Sequence, residues 1–347
     1  MVLGTKSACF GFLVGLFCMG SGALRAQVQD DPTRLQVNVV LVQLSVAVTD
    51  KEGNCITGLR PEDFVVTEDA IPQRIATFEE SAESDRRTRE AQRTSVPSPA
   101  SQSSAPNPSD AAKVTISHVA ESNLFILFDT SNYMYRGFVF AQDAIADFIR
   151  SMGESSKIAF YSYSRNLSKA TPLSSDPFQV ISGVRNSVAG DNAALYNSLL
   201  LTVEDAAPLR GKKAIVVFSN GPDNASSVPP EDVTELAQST GTIIYIISTR
   251  QAQEDPVSAA AFERVSRASG GKAYFAKNWR EEKQAFASIR EDLIHLYTLS
   301  YYPQANANRG WRSIKVKLVG KDLQKYHIRT RDGYRLLPVT QNRPSSR

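Results

Sequence analysis

The stretch Asn123-Leu-Phe-Ile-Leu-Phe128-Asp129-Thr-Ser131-Asn-Tyr133-Met134 decides the architecture of this chain. An apolar run of strand length without polar alternation describes a strand covered on both faces. It ends abruptly on an acid followed by small hydroxyl-bearing residues. Runs of the same kind recur at 157–163, 213–218, 242–247 and 272–275, the most uninterrupted being Ile215-Val-Val-Phe218 and Ile243-Ile-Tyr-Ile-Ile247. Amphipathic stretches at 138–151, 177–188, 194–206, 230–239, 257–268 and 281–296 read as helices, with Gly241 and Gly270-Gly271 where helices should stop. Buried strands alternating with amphipathic helices specify an α/β fold: a doubly wound, mostly parallel, Rossmann-like sheet with helices on both faces. In such a sheet ligands bind beyond the carboxyl ends of the strands, where the strand order reverses, so the turn at Asp129 is the candidate site.

On either side of this α/β region, placed at 114–296, the pattern changes to strands. Residues 35–48 alternate and are rich in valine, the turn Asp50-Lys-Glu-Gly53 follows, and 64–68 and 74–78 read as further strands of an N-terminal β segment, 27–80. A C-terminal β segment, 297–338, holds strands at 297–301, 314–319 and 327–331 and closes at Gly333-Tyr334. Neither flank holds enough strands to bury a core alone, which predicts that the two pair into one immunoglobulin-like sandwich. Lys315 and Lys317 mark the wet face of a strand and point to a guarded sheet edge. Between 81 and 113 the composition shifts to Ser, Pro, Gln, Arg and Asp with almost no aliphatic residue; this reads as a disordered linker, because nothing there buries enough surface to offset chain entropy. Residues 339–347 read as a disordered tail.

With 347 residues, 42% of them hydrophobic, the chain has material for two cores. Lys6, the apolar run 9–19 and the small residues after it have the layout of a secretory signal peptide, 1–26, cut after Ala26 or Ala23. The run is too short to span a bilayer as a permanent helix. A lipoprotein reading, with Cys18 acylated, has bulky Phe17 against it. The expected localisation is therefore exported, periplasmic or extracellular. Loss of Lys6 and Arg25 takes the formal charge from +3 to near neutrality, which gives no case for nucleic acid or an anionic membrane. Cys9 and Cys18 leave as well, so Cys55 is either a half-buried small hydrophobe in a turn or half of an intermolecular disulfide.

Asp129-Thr-Ser131-Asn-Tyr133 resembles the Asp-x-Ser-x-Ser opening of the metal-ion-dependent adhesion site of von Willebrand factor A domains. Ala193-Ala-Leu-Tyr196 is similar to that family's Thr-Ala-Leu-Tyr, and Ser219-Asn-Gly221 to its Ser-Asp-Gly, in the same order. More narrowly, the β segment with Val48-Thr-Asp50, Gly53, Gly58-Leu59, Asp63-Phe64 and Glu68-Asp69, the Ser/Pro linker, the A domain and the closing Arg331-Asp-Gly-Tyr334 resemble the acidobacterial von Willebrand A-related exported proteins over about residues 35–337. The resemblance implies a non-catalytic adhesion or assembly module with a protein partner. It also implies a magnesium ion at the rim, held by hydroxyls and carboxylates with one position open to an acidic group of the partner. Of that family's five ligating side chains only Asp129 and Ser131 match. Tyr133 replaces the second serine, Ala193 the threonine, and Asn220 the second aspartate. The metal candidates are thus Asp129, Ser131 and Asn220, with Asp191 and Asp223 as nearby acids that could substitute, although one carboxylate in place of two sharply weakens the attraction for a dication.

Three readings of the loop stand side by side. It is a magnesium-dependent receptor; or Asp129 merely caps the following turn on a vestigial rim; or the rim binds protein without an ion, through Tyr133, Tyr135, Asp191 and Asp223. Tyr133, Tyr135, Phe138 and Phe140 crowd this loop, and half of them are expected in the core. In the last two readings no cofactor is expected. Catalysis is not expected either. The chain has no Gly-x-Ser-x-Gly elbow, phosphate loop, Gly-x-Gly-x-x-Gly or His-Glu-x-x-His, and Ser131 stands where an aspartyl-phosphate site wants a second acid. A hydrolase of unknown substrate is the remaining alternative. His118, His295 and His327 lie near no cysteine or carboxylate cluster, and Trp279 and Trp311 read as packing residues.

Overall fold

The computed structural model describes residues 41–81, 122–135, 137–153, 156–249 and 255–336. The signal segment, linker residues 82–113 and the tail 339–347 lie outside the described residues.

The six-stranded sheet is built from β5 (Ser122–Asp129), β6 (Ser156–Tyr163), β7 (Leu167–Ser174), β8 (Lys212–Ser219), β9 (Thr242–Thr249) and β10 (Ala273–Ala276), in the order β10-β9-β8-β5-β6-β7. All neighbours are parallel except β7, which runs antiparallel to β6. The order reverses around β5, which has β6 on one side and β8 on the other. Strand β7 is not foreseen in the sequence. It lies at the sheet edge, carries Pro172 and leaves most of its residues partly or fully exposed, so no apolar run announces it.

Among the described residues the α-helices are, in chain order, α1 (Phe138–Ser151), α2 (Pro177–Arg185), α3 (Leu195–Ala206), α4 (Pro230–Thr240), α5 (Pro256–Ser269) and α6 (Trp279–His295). The successive side chains of β5 explain why both faces are dry. Leu124, Ile126 and Phe128 join a core closed by α1, α2 and α6, whereas Phe125 and Leu127 join one closed by α3, α4 and α5. The doubly wound α/β expectation therefore holds. Gly241 and Gly270 end α4 and α5 in left-handed conformation, as their sequence positions require.

The flanks form two antiparallel four-stranded sheets. One has the order β13-β1-β11-β4, from β1 (Val42–Thr49), β4 (Ile75–Glu80), β11 (Tyr297–Tyr301) and β13 (His327–Arg329). The other has β14-β12-β2-β3, from β2 (Phe64–Glu68), β3 (Ile71–Gln73), β12 (Trp311–Leu318) and β14 (Gly333–Arg335). Each sheet mixes strands from both ends of the chain; β11 lies between β1 and β4, with Leu44 opposite Leu299. Val42, Leu44, Val46, Phe64, Val66, Tyr297, Leu299, Ile314 and Tyr334 share one core. The flanks thus meet in a single sandwich, as expected. Lys315 and Lys317 are exposed and pair with Thr67 and Val65 of β2 on one side, whereas β14 pairs with β12 only at Trp311, Arg312 and Ser313, so among the described residues the lysines lie on an open stretch of strand, as expected. Cys55 sits in a turn, partly buried, with its thiol toward Asp292 and its pKa pushed up to about 11 by burial and that carboxylate.

A basic strip clamps the sandwich to the sheet domain. Arg331 is buried and donates to the Gln238 carbonyl at the end of α4 and to the Gln43 carbonyl of β1. The Asp332 N–H donates to the Ala268 carbonyl near the end of α5, and Arg329 pairs with Asp292 of α6. Cationic side chains at helix C-termini meet carbonyls that have no partner inside the helix. The contact is close: a Cβ on Gly270 would lie 3.0 Å from the Arg331 nitrogen, at a φ of +93°. Gly270→Ala is therefore expected to lower folding stability by about 1–3 kcal/mol in urea melts. Gly137→Ala, where an added Cβ meets nothing, should change it by no more than about 0.5 kcal/mol. Equal effects from the two substitutions would contradict a tight clamp.

Candidate functional site

Strand register assembles the site. Asp129 is the last residue of β5; on β6 it is level with Tyr163, and on the other side Phe128 pairs with Phe218, which places Ser219 beside the acid. Asp129 is 0% exposed. One carboxylate oxygen accepts the Ser131 N–H at 2.9 Å, an Asx-type turn. The other accepts the Ser219 hydroxyl at 2.9 Å and, at 3.4 Å, the Asn220 N–H. Ser219 in turn accepts the Tyr163 hydroxyl at 3.0 Å. Burial pushes the Asp129 carboxyl above its ordinary range, against those hydrogen bonds, and burial together with Asp129 pushes the Tyr163 phenol up.

A second layer of bonds knits the loops above. The Asn220 carboxamide donates to the Tyr133 carbonyl. Asn224 donates to the Tyr133 hydroxyl at 3.3 Å and accepts the Ala193 N–H at 2.8 Å, while the Ala193 carbonyl accepts the N–H groups of Asn224 and Ala225. The Asn132 N–H donates to the Asp191 carbonyl at 2.8 Å, and Tyr135 reaches the Gly190 carbonyl at 3.1 Å. Asp129, Ser131, Ala193 and Asn220 are thus gathered at one rim.

The acids proposed as substitutes are occupied or turned outward. Asp223 accepts the N–H groups of Tyr196, Ala225 and Ser226 at 2.8–3.1 Å, so it anchors the start of α3 and is not a free partner-binding carboxylate. Asp191 is exposed, and its backbone rather than its carboxylate is engaged. Tyr133 packs partly into the core on the α3 side and Phe138 against Phe128, whereas Tyr135, Val139 and Phe140 (66% exposed) face outward. Gln142 bonds to Ser187, which brings Val188, 79% exposed, alongside α1. Trp279, expected to pack, is exposed at the start of α6 beneath Arg280 and Lys283. Tyr163 and Asn224 are site residues that carry no local sequence signal. Their roles arise from register and loop contact.

A small hard dication asks for about six oxygens in near-octahedral array. Here both oxygens of the one carboxylate already accept hydrogen bonds, position 193 offers no side-chain oxygen, and the Asn220 amide is turned to donate. The Ser131 hydroxyl, at one of the candidate ligand positions, is buried and without a well-aligned hydrogen bond. These residues do not fit such an ion. Among the described residues, no group of three or more His, Cys, Asp or Glu could hold a metal.

The rim lies where the strand order of a doubly wound sheet reverses, the place where open α/β sheets bind ligands in general. Residues 124–222 match the family model of the von Willebrand factor type A domain. No curated protein matches the chain. Among solved structures, it is similar to the conserved hypothetical protein BatB from Bacteroides thetaiotaomicron (12% identity, 50% of this chain and 98% of that one, TM-score 0.42). It is also similar to the vWF domain of the type V pili tip protein Mfa5 from Porphyromonas gingivalis (11%, 50% and 95%, TM-score 0.43). A von Willebrand factor type A protein from Catenulispora acidiphila is similar over 61% of this chain and 66% of its own (11%, TM-score 0.43).

A carboxyl whose folded pKa is raised is favourable below its unfolded pKa, and that stability is lost as pH rises through the folded value. The melting temperature of the wild type, measured against Asp129→Asn, is expected to rise from neutral pH down to about 4. A difference constant across that range would contradict a carboxyl held above its ordinary range at Asp129.

Proposed function

We propose that this chain is an exported, non-catalytic protein-binding module of adhesion or assembly type, whose A-domain rim is a degenerate adhesion site that engages its partner without an ion. The observation that carries this reading is the Asn220 carboxamide bonded to the Tyr133 carbonyl. A carboxylate at 220 would face an acceptor there, so the rim is built around an amide that pins the loop rather than an acid that holds a cation. Outward-facing Tyr135, Val139, Phe140 and Val188 border the same loop and supply the apolar and aromatic contact that protein interfaces concentrate. At the rim the hydroxyl and carboxylate that meet are Ser219 and Asp129, and both are fully buried, out of reach of substrate. The layout of residues 1–26 supports export, to the periplasm or outside the cell. Among the described residues no helix is long and apolar enough to cross a membrane.

One observation favours a second reading, a residual magnesium-dependent receptor: the spare Ser131 hydroxyl beside a carboxylate. Calorimetry separates the two. The full chain is expected to give no saturable heat with magnesium or manganese, and the variant combining Tyr133→Ser, Ala193→Thr and Asn220→Asp to give a measurable one. Saturable heat from the wild type, abolished by Asp129→Ala in a variant that still folds, would establish the second reading. On the interaction side, capture of partners from the native envelope should survive chelator and be lost in Phe140→Ala with Tyr135→Ala.

A further inference from the structure

The same residue that latches the rim is chemically unstable by virtue of its neighbour. Asn220 is followed by Gly221, and an asparagine before glycine is the dipeptide in which the backbone nitrogen of the second residue most easily reaches the side-chain carbonyl, because no Cβ obstructs the approach. We propose that Asn220-Gly221 is a self-modification site, at which the rim latch converts from amide to carboxylate by cyclisation and hydrolysis.

The atoms balance without any added reagent but water. The Gly221 nitrogen, its proton removed to solvent, attacks Asn220 Cγ. A C–N bond forms, the Cγ–Nδ2 bond breaks, ammonia leaves and a five-membered imide remains. Water then adds to either imide carbonyl and the corresponding C–N bond breaks, leaving aspartate or its β-linked isomer at 220. Nothing is oxidised or reduced.

Two features of the structure leave this path open and one sets its pace. The Gly221 N–H makes only a long contact, 3.5 Å, to the Ser219 hydroxyl, so no strong backbone bond has to be broken to free the nitrogen. The space where a Cβ of residue 221 would stand is empty of heavy atoms within 4 Å, so the backbone has room to turn. Against these, the Asn220 carboxamide is held by the Tyr133 carbonyl and is mostly buried, so cyclisation waits on loop opening. Tyr133 is itself held through its hydroxyl by Asn224, which makes Asn224 a remote control on the rate.

The consequence lies in the hydrogen bonds. The product carboxylate has no proton for the Tyr133 carbonyl, so the bond between the two loops becomes a repulsion between acceptors. It also places a second negative charge close to Asp129, whose oxygen already accepts the Asn220 N–H. The converted chain therefore has an unlatched loop at 130–135. Whether that loosened rim binds differently is a separate matter from whether conversion occurs.

The test incubates the full mature chain at mildly alkaline pH and follows the mass of the peptide that holds residue 220, beside a free peptide of residues 216–225 and two variants. The expected result is a mass gain matching amide-to-acid exchange at Asn220, with aspartate and isoaspartate products. It should be slower in the folded chain than in the free peptide, accelerated several-fold in Asn224→Ala, and suppressed in Gly221→Ala, a position where the added methyl meets nothing. In the converted protein, amide hydrogen exchange at 130–135 should quicken, as it should in freshly made Asn220→Asp. An unchanged folded chain after the free peptide has fully converted would overturn the proposal, as would equal conversion in Gly221→Ala.

Discussion

A carboxylate with none of its surface in water must draw its stabilisation from groups that the fold has already fixed. Asp129 is in that position, and the rim is arranged around meeting its demand. A tightly held dication is one possible answer. The answer here is a set of donors: the N–H of the next turn, the hydroxyl at the end of β8 and, behind it, a phenol at the end of β6. These donors arrive from three adjacent strands because the parallel register makes their ends level. The order reversal at this end of the sheet, with β6 and β8 on either side of β5, makes it possible to satisfy the acid internally. A complete donor set resists replacement, since an ion entering the site would have to displace bonds already made in a low-dielectric setting.

The base of the rim is held from the opposite pole. Helices α4 and α5 each begin at the loops beyond the sheet and end against the sandwich, where Arg331 and the Asp332 N–H take up their terminal carbonyls. Burial lowers the Arg331 pKa to about 10, the cost of holding a guanidinium out of water, and its hydrogen bonds to main-chain carbonyls offset that cost. The sandwich in turn cannot form from one flank, since β11 fills the gap between β1 and β4. Segments far apart in sequence, 42–80 and 297–335, thus close into a module that fixes the helices on which the rim loops are hung.

Much of this was legible in the residues. The unbroken apolar runs at 123–128, 213–218 and 242–247 dictate buried parallel strands, and Gly241 and Gly270 mark helix ends because only a left-handed residue closes a helix there without strain. The pairing of the flanks followed from their having too few strands apart. Strand β7 was hidden because an exposed edge strand with a proline has no apolar period to read. The rim was legible as a place but not as a network. A sequence shows that Asp129, Ala193 and Asn220 stand at loop positions, but Tyr163 and Asn224 matter through contacts across 56 and 31 residues of chain. Asp223 misled for a related reason: an acid near a site is as readily an anchor for backbone N–H groups, and here it takes three.

The residues at 133, 193 and 220 support one another. An acid at 220 with the rest unchanged would bury a second charge near Asp129 and confront the Tyr133 carbonyl with another acceptor, both costly without a cation between them. An amide at 220 removes the charge and supplies the donor that the carbonyl lacks. Once that bond holds the loop, position 193 needs no hydroxyl; its backbone is gripped instead by Asn224, N–H to side chain and carbonyl to main chain. Tyr133 then fits because its ring can enter the core beside α3 while its hydroxyl meets the same asparagine. Each of these residues supplies a hydrogen bond or a contact that the next one relies on, which is how a rim with one buried acid is closed without leaving that acid unsatisfied.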